Sequence, residues 1–427
     1  MIRLMKSLYT YKLKTKPLSK LSMLLIVLFE MGFNINYNIV GRISISELFV
    51  VVYTAIFIWK SELLKIKEFK TFLIYYLLLI CFQIISELAV GNSANNALRG
   101  ISVTIVSFCH LFFALKYLIK DRRYIFIFIL GIVISNLVFG SPITMNDASM
   151  SDDPTSVYLK FYLAPLLTNI GLLASFFLKG KFDSIVFLIL GIVFIVLGAR
   201  SSGMMAFLTG LLVYFRSLHI SLIKKNWKIY FIPIALIAYG GYYFYVDAVL
   251  NGDIKSGNSE QLLRTGNPYN PLNLLITGRP EVFAGSIAFI DHPLFGCGAW
   301  CSDLKYGYKY HVIATTFANT NFNIANIGDD VIPSHSVVIG YAMQNGIVPL
   351  IMIILILGSS LKYAFKSYRD TEPVFLVPLI LFIMETLWNG LFSPLSHFRL
   401  SLPLYMSFMF ANYVIIAHRN STRELNK

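Results

Sequence analysis

Apolar residues occur along the chain in long blocks that short polar segments separate. The blocks are 16 to 26 residues long and recur from residue 18 to residue 417. About 20 helical residues, at about 1.5 Å rise each, cross a hydrocarbon core of about 30 Å. Backbone amides in lipid must be paired within their own segment, so such runs predict helices and not an open sheet. The expected fold is all-α, a polytopic transmembrane helical bundle of about 12 spans.

The predicted spans divide the chain into three regions of a single membrane domain. Residues 1–250 hold spans 1 to 9, residues 251–335 form one large extracytoplasmic loop between late helices, and residues 336–427 hold spans 10 to 12 and a cytoplasmic tail. The twelve runs are 18–34, 44–59, 71–90, 98–118, 124–140, 157–178, 183–199, 202–222, 229–250, 336–361, 373–391 and 399–417.

Composition and charge support a membrane protein and argue against a nucleic-acid-binding one. The chain is 56% hydrophobic and 14% charged, too apolar for a soluble fold. Its net charge of +14 could suit nucleic acid, but 26 of the 36 Lys and Arg residues fall on alternate inter-span segments. This is the positive-inside pattern, which predicts that both termini are cytoplasmic and the 251–335 loop is outside.

The N-terminus and the cysteines give two smaller expectations. The basic first 20 residues lead into an apolar run with no small-residue cleavage site, so we expect the first span to remain as an anchor. Cys81 and Cys109 fall within spans and are interpreted as small core residues. Cys297 and Cys301 lie four residues apart in the outer loop, where a disulfide is permitted and two unpaired thiols are the alternative.

Arginine is enriched among the ten basic residues on the predicted outer side. Six of the ten are Arg, whereas Lys outnumbers Arg by 19 to 7 on the inner side. Guanidinium makes forked contacts to phosphate that ammonium does not, so the bias hints at anion binding; an imbalance without function is the alternative. The ten are Arg42, Arg99, Lys160, Arg200, Lys255, Arg264, Arg279, Lys305, Lys309 and Arg399.

Three outer-side residues are candidates for chemistry on position alone. Arg200 lies in a turn of small residues, where it is either an anion ligand or an interface arginine on lipid headgroups. His335 directly precedes a predicted helix, whose start attracts anions; a neutral imidazole there can accept a proton, and a purely structural histidine is the alternative. Glu385, like Glu30 and Glu87, lies within a span, where it either faces a polar cavity or reaches the near interface.

Several of these residues together resemble the shared region of O-antigen polymerases and O-antigen ligases. The elements are Gly278-Arg279 with Phe283 four residues after the arginine, the segment 293–298 (PLFGCG), and His335 with Gly346 eleven residues on. Arg200 in its turn is similar to the family's upstream Ser-Arg element. The resemblance covers roughly residues 197–350. It departs at Ser336, where Asn often follows the histidine, and at Phe283, where Trp is common, so neither is assigned a catalytic role.

The resemblance implies a bacterial inner-membrane glycosyltransferase. It would transfer a glycan from undecaprenyl pyrophosphate to a lipid-linked acceptor on the periplasmic face. His335 is the candidate general base, Arg200 and Arg279 are the candidate catalytic arginines, and Arg264, Arg399 and Glu385 are candidate substrate-binding residues.

The partners implied are the lipid-linked donor and acceptor, membrane lipid, and a chain-length regulator and flippase of the same pathway. We expect no cofactor and no metal, since Asp329-Asp330 is not a D-x-D pair and no His/Asp spacing suggests a ligand set.

The sequence leaves other functions open. Composition biased toward Ile, Phe, Lys, Asn and Tyr favours a polymerase over a ligase that joins polymer to lipid A core. A polysaccharide flippase or transporter would have as many spans, but repeats and charged mid-span sites are expected there and are not evident. The sugars, and whether the product is O-antigen, capsule or another exopolysaccharide, are not specified.

Overall fold

Helices make up most of the backbone, as the apolar runs predict. The computed structural model describes residues 18–38, 41–140, 158–178, 181–217, 227–252, 267–270, 280–302, 331–332 and 335–425. Within these residues the helices are α1 Lys20–Gly32, α2 Ile45–Phe57, α3 Lys67–Val90, α4 Ala94–Leu118, α5 Tyr124–Phe139, α6 Ala164–Leu178, α7 Lys181–Val196, α8 Arg200–Ser217, α9 Trp227–Leu250, α10 Pro280–Asp291, α11 Val337–Asn345, α12 Ile347–Tyr368, α13 Pro373–Phe392, α14 His397–Leu400 and α15 Leu402–Leu425. A 3-10 turn, Glu62–Lys65, precedes α3, and a π-helical turn, Leu159–Leu163, leads into α6.

Five helical segments in the described part of the chain are long and apolar enough to cross a membrane: α3, α4, residues 159–178, α12 and α13. Each predicted span contains helix, and several of the remaining helices, such as α1 and α2, are shorter than the five. The count of twelve spans therefore stays a prediction.

The predicted tenth span, 336–361, is not one helix. Gly346 has a positive φ of 85° and separates α11 from α12. The interruption arises because another segment packs against the break: Ile347 N donates to Pro293 O at 2.8 Å. An uninterrupted helix would not leave that amide available to residue 293, since it would be bonded within the helix.

Helix α4 lies at the centre of the bundle. Its second half is buried on nearly every side, from Val106 to Leu118. It packs against α15, where Ser407 Oγ donates to Leu111 O at 3.0 Å, and against α2. A helix that is apolar all round is expected at such a central position.

Helices α7 and α8 form a tight hairpin, as the small residues around Arg200 predict. Gly198 makes the turn with a φ of 87°. Gly191, Gly203 and Gly210 let the two backbones approach, because a Cβ at any of the three would lie within 2.6 to 2.8 Å of the partner helix. Close approach through small residues is typical of helix pairs in membranes.

A short β-hairpin, which the sequence analysis did not predict, connects α1 and α2. Strands β1 (Asn36–Asn38) and β2 (Arg42–Ser44) pair antiparallel, with Tyr37 opposite Ile43. Ser44 then begins α2 through a capping box: its hydroxyl accepts from Glu47 N at 3.2 Å, and Glu47 Oε2 accepts from Ser44 N at 2.7 Å.

At the end of the bundle away from the β-hairpin, charged residues join the α4–α5 turn, the start of α13 and helix α15. Glu372 forms ion pairs with Arg122 at 3.1 Å and Arg419 at 2.7 Å. Arg122, which is 5% exposed, also donates to Asn412 Oδ1 at 2.6 Å. Burial alone would raise the pKa of Glu372, but the two arginines outweigh it and hold that pKa below its ordinary value of 4.5. The cluster ties α15 to the α4–α5 turn and to the start of α13.

Candidate functional site

Two parallel helices, α10 and α11, form the core of the candidate site. Gly285 of α10 faces α11, where a Cβ would lie 3.0 Å from Ile339 and 3.5 Å from Met343. Pro293 lies beyond the end of α10, and its carbonyl oxygen accepts from Ile347 N, the first residue of α12, two positions after α11 ends. Because the ends of the two helices adjoin, their starts do too, so the backbone of Pro280 lies at the same end as His335. Two helix starts there present N–H groups to one region.

The 293–298 segment, which carries part of the resemblance, docks on the end of α11. Cys297 N donates to Met343 O and Gly298 N to Gln344 O, both at 2.9 Å. Gly296 has a φ of 70°, and its Cα faces the Gln344 backbone so closely that a Cβ would clash there. The 293–298 segment therefore positions α11, including the first turn of that helix, which follows His335.

Cys297 and Cys301 form a disulfide, which decides between the two alternatives that the sequence left open. The disulfide closes the turn that follows the docked segment. Both cysteines are 3% exposed and pack with Ala284, Ala288 and Met343 in a small apolar cluster separate from the main core. The cross-link thus fixes the turn against α10 and α11.

Glu87 anchors this turn to the bundle, and it does not reach the interface as one of the sequence alternatives held. Its carboxylate is 4% exposed. Oε1 accepts from Ala299 N at 2.9 Å and Asn345 Nδ2 at 3.1 Å, and Oε2 accepts from Asn92 Nδ2 at 2.6 Å. Asn92 and Asn345 gave no signal in the sequence: Asn345 is 258 positions from Glu87, and Asn92, five positions from it, lies beyond the end of the helix that carries the carboxylate.

His335 and Ser336 directly precede α11, and Ser336 joins that helix to α13. Ser336 Oγ accepts from Ile339 N at 3.1 Å, which caps the helix. The same hydroxyl donates to Gly390 O, in the last turn of α13, at 3.2 Å. Ser336, which replaces the Asn common in the resembled family, therefore has a structural role. The partly buried His335 is held beside the end of α13.

Arg200 lies at the same end of the bundle as His335. Arg216, at the far end of α8, donates to Arg369 O and lies 5.4 Å from the Tyr368 ring, just before α13 begins. Helix α8 packs along α13, so the two run antiparallel and Arg200 lies at the end of α13 that contains Gly390. The Arg200 guanidinium is 4.8 Å from the centre of the Tyr245 ring, a cation–π contact that orients it.

The other candidate residues have different outcomes. Arg279 and Arg264 lie outside the described residues, although Arg279 directly precedes Pro280 in the sequence. Glu385 is half-buried in α13 and accepts from Asn389 Nδ2 at 3.2 Å. Arg399 is directed elsewhere: it pairs with Glu47 at 3.1 Å and donates to Arg42 O at 3.3 Å. The structure thus brings Arg200 and His335 to one end of the bundle but engages Arg399 with the β-hairpin.

Among the described residues, no group of three or more His, Cys, Asp or Glu side chains could hold a metal ion. Comparison of the sequence with protein-family models gives no match, and comparison with curated proteins gives none either.

Proposed function

We propose that the protein is a membrane glycosyltransferase that polymerises surface polysaccharide from undecaprenyl-pyrophosphate-linked repeat units at the outer face of the inner membrane. One observation supports this best: Arg200 and His335, 135 positions apart in the sequence, lie at the same end of the bundle. The parallel start of α10 supports it further, since Arg279 directly precedes that helix.

The chemistry requires a proton acceptor and positive charge but no metal. The acceptor hydroxyl oxygen attacks the anomeric carbon of the donor glycan and forms the new glycosidic bond. The bond from that carbon to the diphosphate oxygen breaks, and its electron pair leaves with the diphosphate. His335 takes the hydroxyl proton, a role that contributes about 10² to 10⁴ in rate. Arg200 and Arg279 bind the diphosphate, whose negative charge grows as it leaves.

The test is the glycan profile of a deletion strain complemented with His335→Ala, Arg200→Ala or Arg279→Ala. We expect normal membrane levels of each variant and loss of polymer, with single repeat units remaining on lipopolysaccharide. Arg279→Lys should also fail if the contact to diphosphate is bidentate. Full-length polymer from all three alanine variants would refute the assignment.

Arg216→Ala is the matched control. Like Arg200, Arg216 is an α8 arginine whose guanidinium lies over a tyrosine ring, that of Tyr368, but it is at the opposite end of α8. Its polymer should be of wild-type length. The deletion strain also separates the alternatives, because bare core with accumulated lipid-linked polymer would indicate a ligase, and intracellular accumulation of single lipid-linked units would indicate a flippase.

A further inference from the structure

Exposed apolar side chains follow one another at the end of α10 and in the turn after it. Ile287 and Ile290 lie in the last turns of the helix, and Leu294 and Phe295 lie in the turn that follows. Their exposed fractions are 39%, 70%, 67% and 45%. The opposite face of α10 is buried against α11. A single exposed apolar residue is common, but a contiguous group, here called the 287–295 patch, marks a surface that meets something other than water.

The 287–295 patch adjoins α3, a helix that is long and apolar enough to cross the membrane. Ser86 Oγ donates to Phe295 O. Ser86 lies four residues before the end of α3, which is about 6 Å along the helix axis. Ile85 and Leu88, on either side of this position, are exposed on the outer surface of α3. Phe295 is therefore held beside side chains that a membrane-crossing helix presents to lipid.

The patch also adjoins α12, a second helix of that kind. Pro293 O accepts from Ile347 N, the first residue of α12, at 2.8 Å. The Leu294 carbonyl lies against Gly346, where a Cβ would clash with it. One turn into α12, Ile351 is exposed and lies on the same face of the helix as Ile347. The patch thus lies at the ends of two membrane-crossing helices and continues their apolar outer surface.

Two neighbouring residues indicate the depth of the patch. Asp291, the last residue of α10, is exposed, and a carboxylate is costly among acyl chains but not among headgroups. Trp300, in the disulfide-closed turn, is 48% exposed, and its ring centre lies 5.6 Å from the Arg99 guanidinium. An indole with one wet and one apolar side is typical of the boundary between acyl chains and headgroups. Both residues favour a shallow position for the patch.

We propose that the 287–295 patch is inserted in the membrane, at the boundary between the acyl chains and the headgroups of the leaflet nearest the candidate site. Its partner is the upper part of the lipid acyl chains. Continuity with α3 and α12 selects lipid over a protein partner, because the outer surfaces of helices that cross a membrane meet lipid. The patch belongs to residues 251–335, which the sequence analysis assigned to an outer loop, so part of that loop would lie in lipid.

Insertion of the patch would hold the candidate site close to the membrane surface. The turn that carries the patch docks on the end of α11 through Cys297 N and Gly298 N. Helix α11 has nine residues, about 14 Å, and His335 lies just before its start. The inserted turn therefore keeps His335 about one short helix away from the lipid. The inference does not rest on the proposed function, because the exposed side chains and their neighbours define it.

Fluorescence quenching tests the position of the patch in the purified full-length protein. Ile290→Cys and Leu294→Cys are made separately, with Cys81 and Cys109 replaced by serine and the disulfide retained. Each cysteine carries an NBD label, and the protein is placed in phosphatidylcholine nanodiscs. One quencher is a phosphatidylcholine with a nitroxide near the top of its acyl chain, and the other is iodide in the water. We expect the nitroxide lipid to quench both labels at least about twofold more strongly than iodide does.

Two labelled positions serve as controls. Leu88→Cys, on the lipid-facing surface of α3, should be quenched as the patch labels are, and Asn251→Cys, exposed just beyond α9, should be quenched by iodide. Patch labels that behave like the label at 251 would overturn the proposal. Labels that neither quencher reaches would also overturn it, because a protein partner would then cover the patch. All four positions are exposed, so the thermal unfolding midpoints should match that of the parent protein, and each patch label is a separate test.

Discussion

At the scale of single residues, Glu87 shows how a carboxylate is accommodated inside a helical bundle. An ionised group in such a place costs several kcal/mol unless donors surround it. Glu87 has three, from Ala299, Asn92 and Asn345. The arrangement attaches the disulfide-closed turn to α3 and α11 and so stabilises the end of the bundle that carries the candidate site.

Glu87→Gln should lower the thermal unfolding midpoint of the purified protein. One carboxylate oxygen becomes an NH₂ group that faces an amide donor, so at least one hydrogen bond is replaced by two opposed donors. We expect a loss of about 1–3 kcal/mol of unfolding free energy. The control is Glu62→Gln, which changes an exposed carboxylate in the 3-10 turn before α3 and should leave the midpoint unchanged. Equal midpoints for the two variants would contradict the role of Glu87.

The sequence predicted some of these residues and not others. Arg200 and His335 stood out because each is a polar residue at a break between apolar runs, a signal that local pattern contains. Trp300 gave no signal, because the ring contacts the Arg99 guanidinium, 5.6 Å from its centre, across 201 positions of the sequence. Arg399 was expected beside the candidate catalytic residues, but its ion pair with Glu47 could not be read from the sequence, since it joins residues 352 positions apart.

At the scale of secondary structure elements, the break between α11 and α12 is the feature that hydropathy did not reveal. The run 336–361 is mostly apolar, and the polar pair Gln344-Asn345 does not lower its mean hydropathy enough to predict a break, so composition alone favours one continuous helix. The interruption depends on docking of the 293–298 segment, a long-range contact. The β-hairpin was missed for a related reason: three-residue strands are too short to show a period-2 pattern.

Gly346→Ala tests whether the break is required. Its φ of 85° disfavours any residue with a Cβ by about 1–2 kcal/mol, and the new Cβ would clash with the Leu294 carbonyl. We expect destabilisation of at least about 2 kcal/mol and undocking of the 293–298 segment, seen as faster proteolysis there. Gly358→Ala, in α12 with no atom within 4 Å of the added Cβ, should be neutral or slightly stabilising. A folded, protease-resistant Gly346→Ala protein would show that the break is incidental.

Docking of α15 should depend on pH through Glu372. Arg122 and Arg419 hold the pKa of this carboxyl below 4.5, so its ionised form is stabilised in the folded state. Its contribution is therefore fully present above pH 4.5 and is lost as pH falls through the lowered pKa. The effect should be small, because the Glu372 side chain is 39% exposed. Thermal unfolding midpoints measured down through this range should fall more steeply for wild type than for Glu372→Gln; parallel curves would exclude the contribution.

At the scale of the whole molecule, the two ends of the bundle differ in chemistry. One end carries Arg200, His335, the disulfide-closed turn and the β-hairpin that Arg399 contacts. The other carries the Arg122–Glu372–Arg419 cluster. The sequence assigned these groups to opposite sides from charge counts alone, and the contacts among described residues place them at opposite ends. The positive-inside bias predicts that the end with the Arg122–Glu372–Arg419 cluster faces the cytoplasm.

Cysteine labelling tests that orientation directly. Asn251→Cys and Lys60→Cys place an exposed thiol at opposite ends, in a background with Cys81 and Cys109 replaced by serine. Cys297 and Cys301 are retained, since their sulfurs are joined and do not react with maleimide. With 26 of 36 basic residues on the predicted inner side, we expect a membrane-impermeant maleimide to label position 251 in intact spheroplasts and position 60 only after lysis. The reverse order would place Arg200 and His335 in the cytoplasm, where transfer from a lipid-linked unit already flipped outward could not occur.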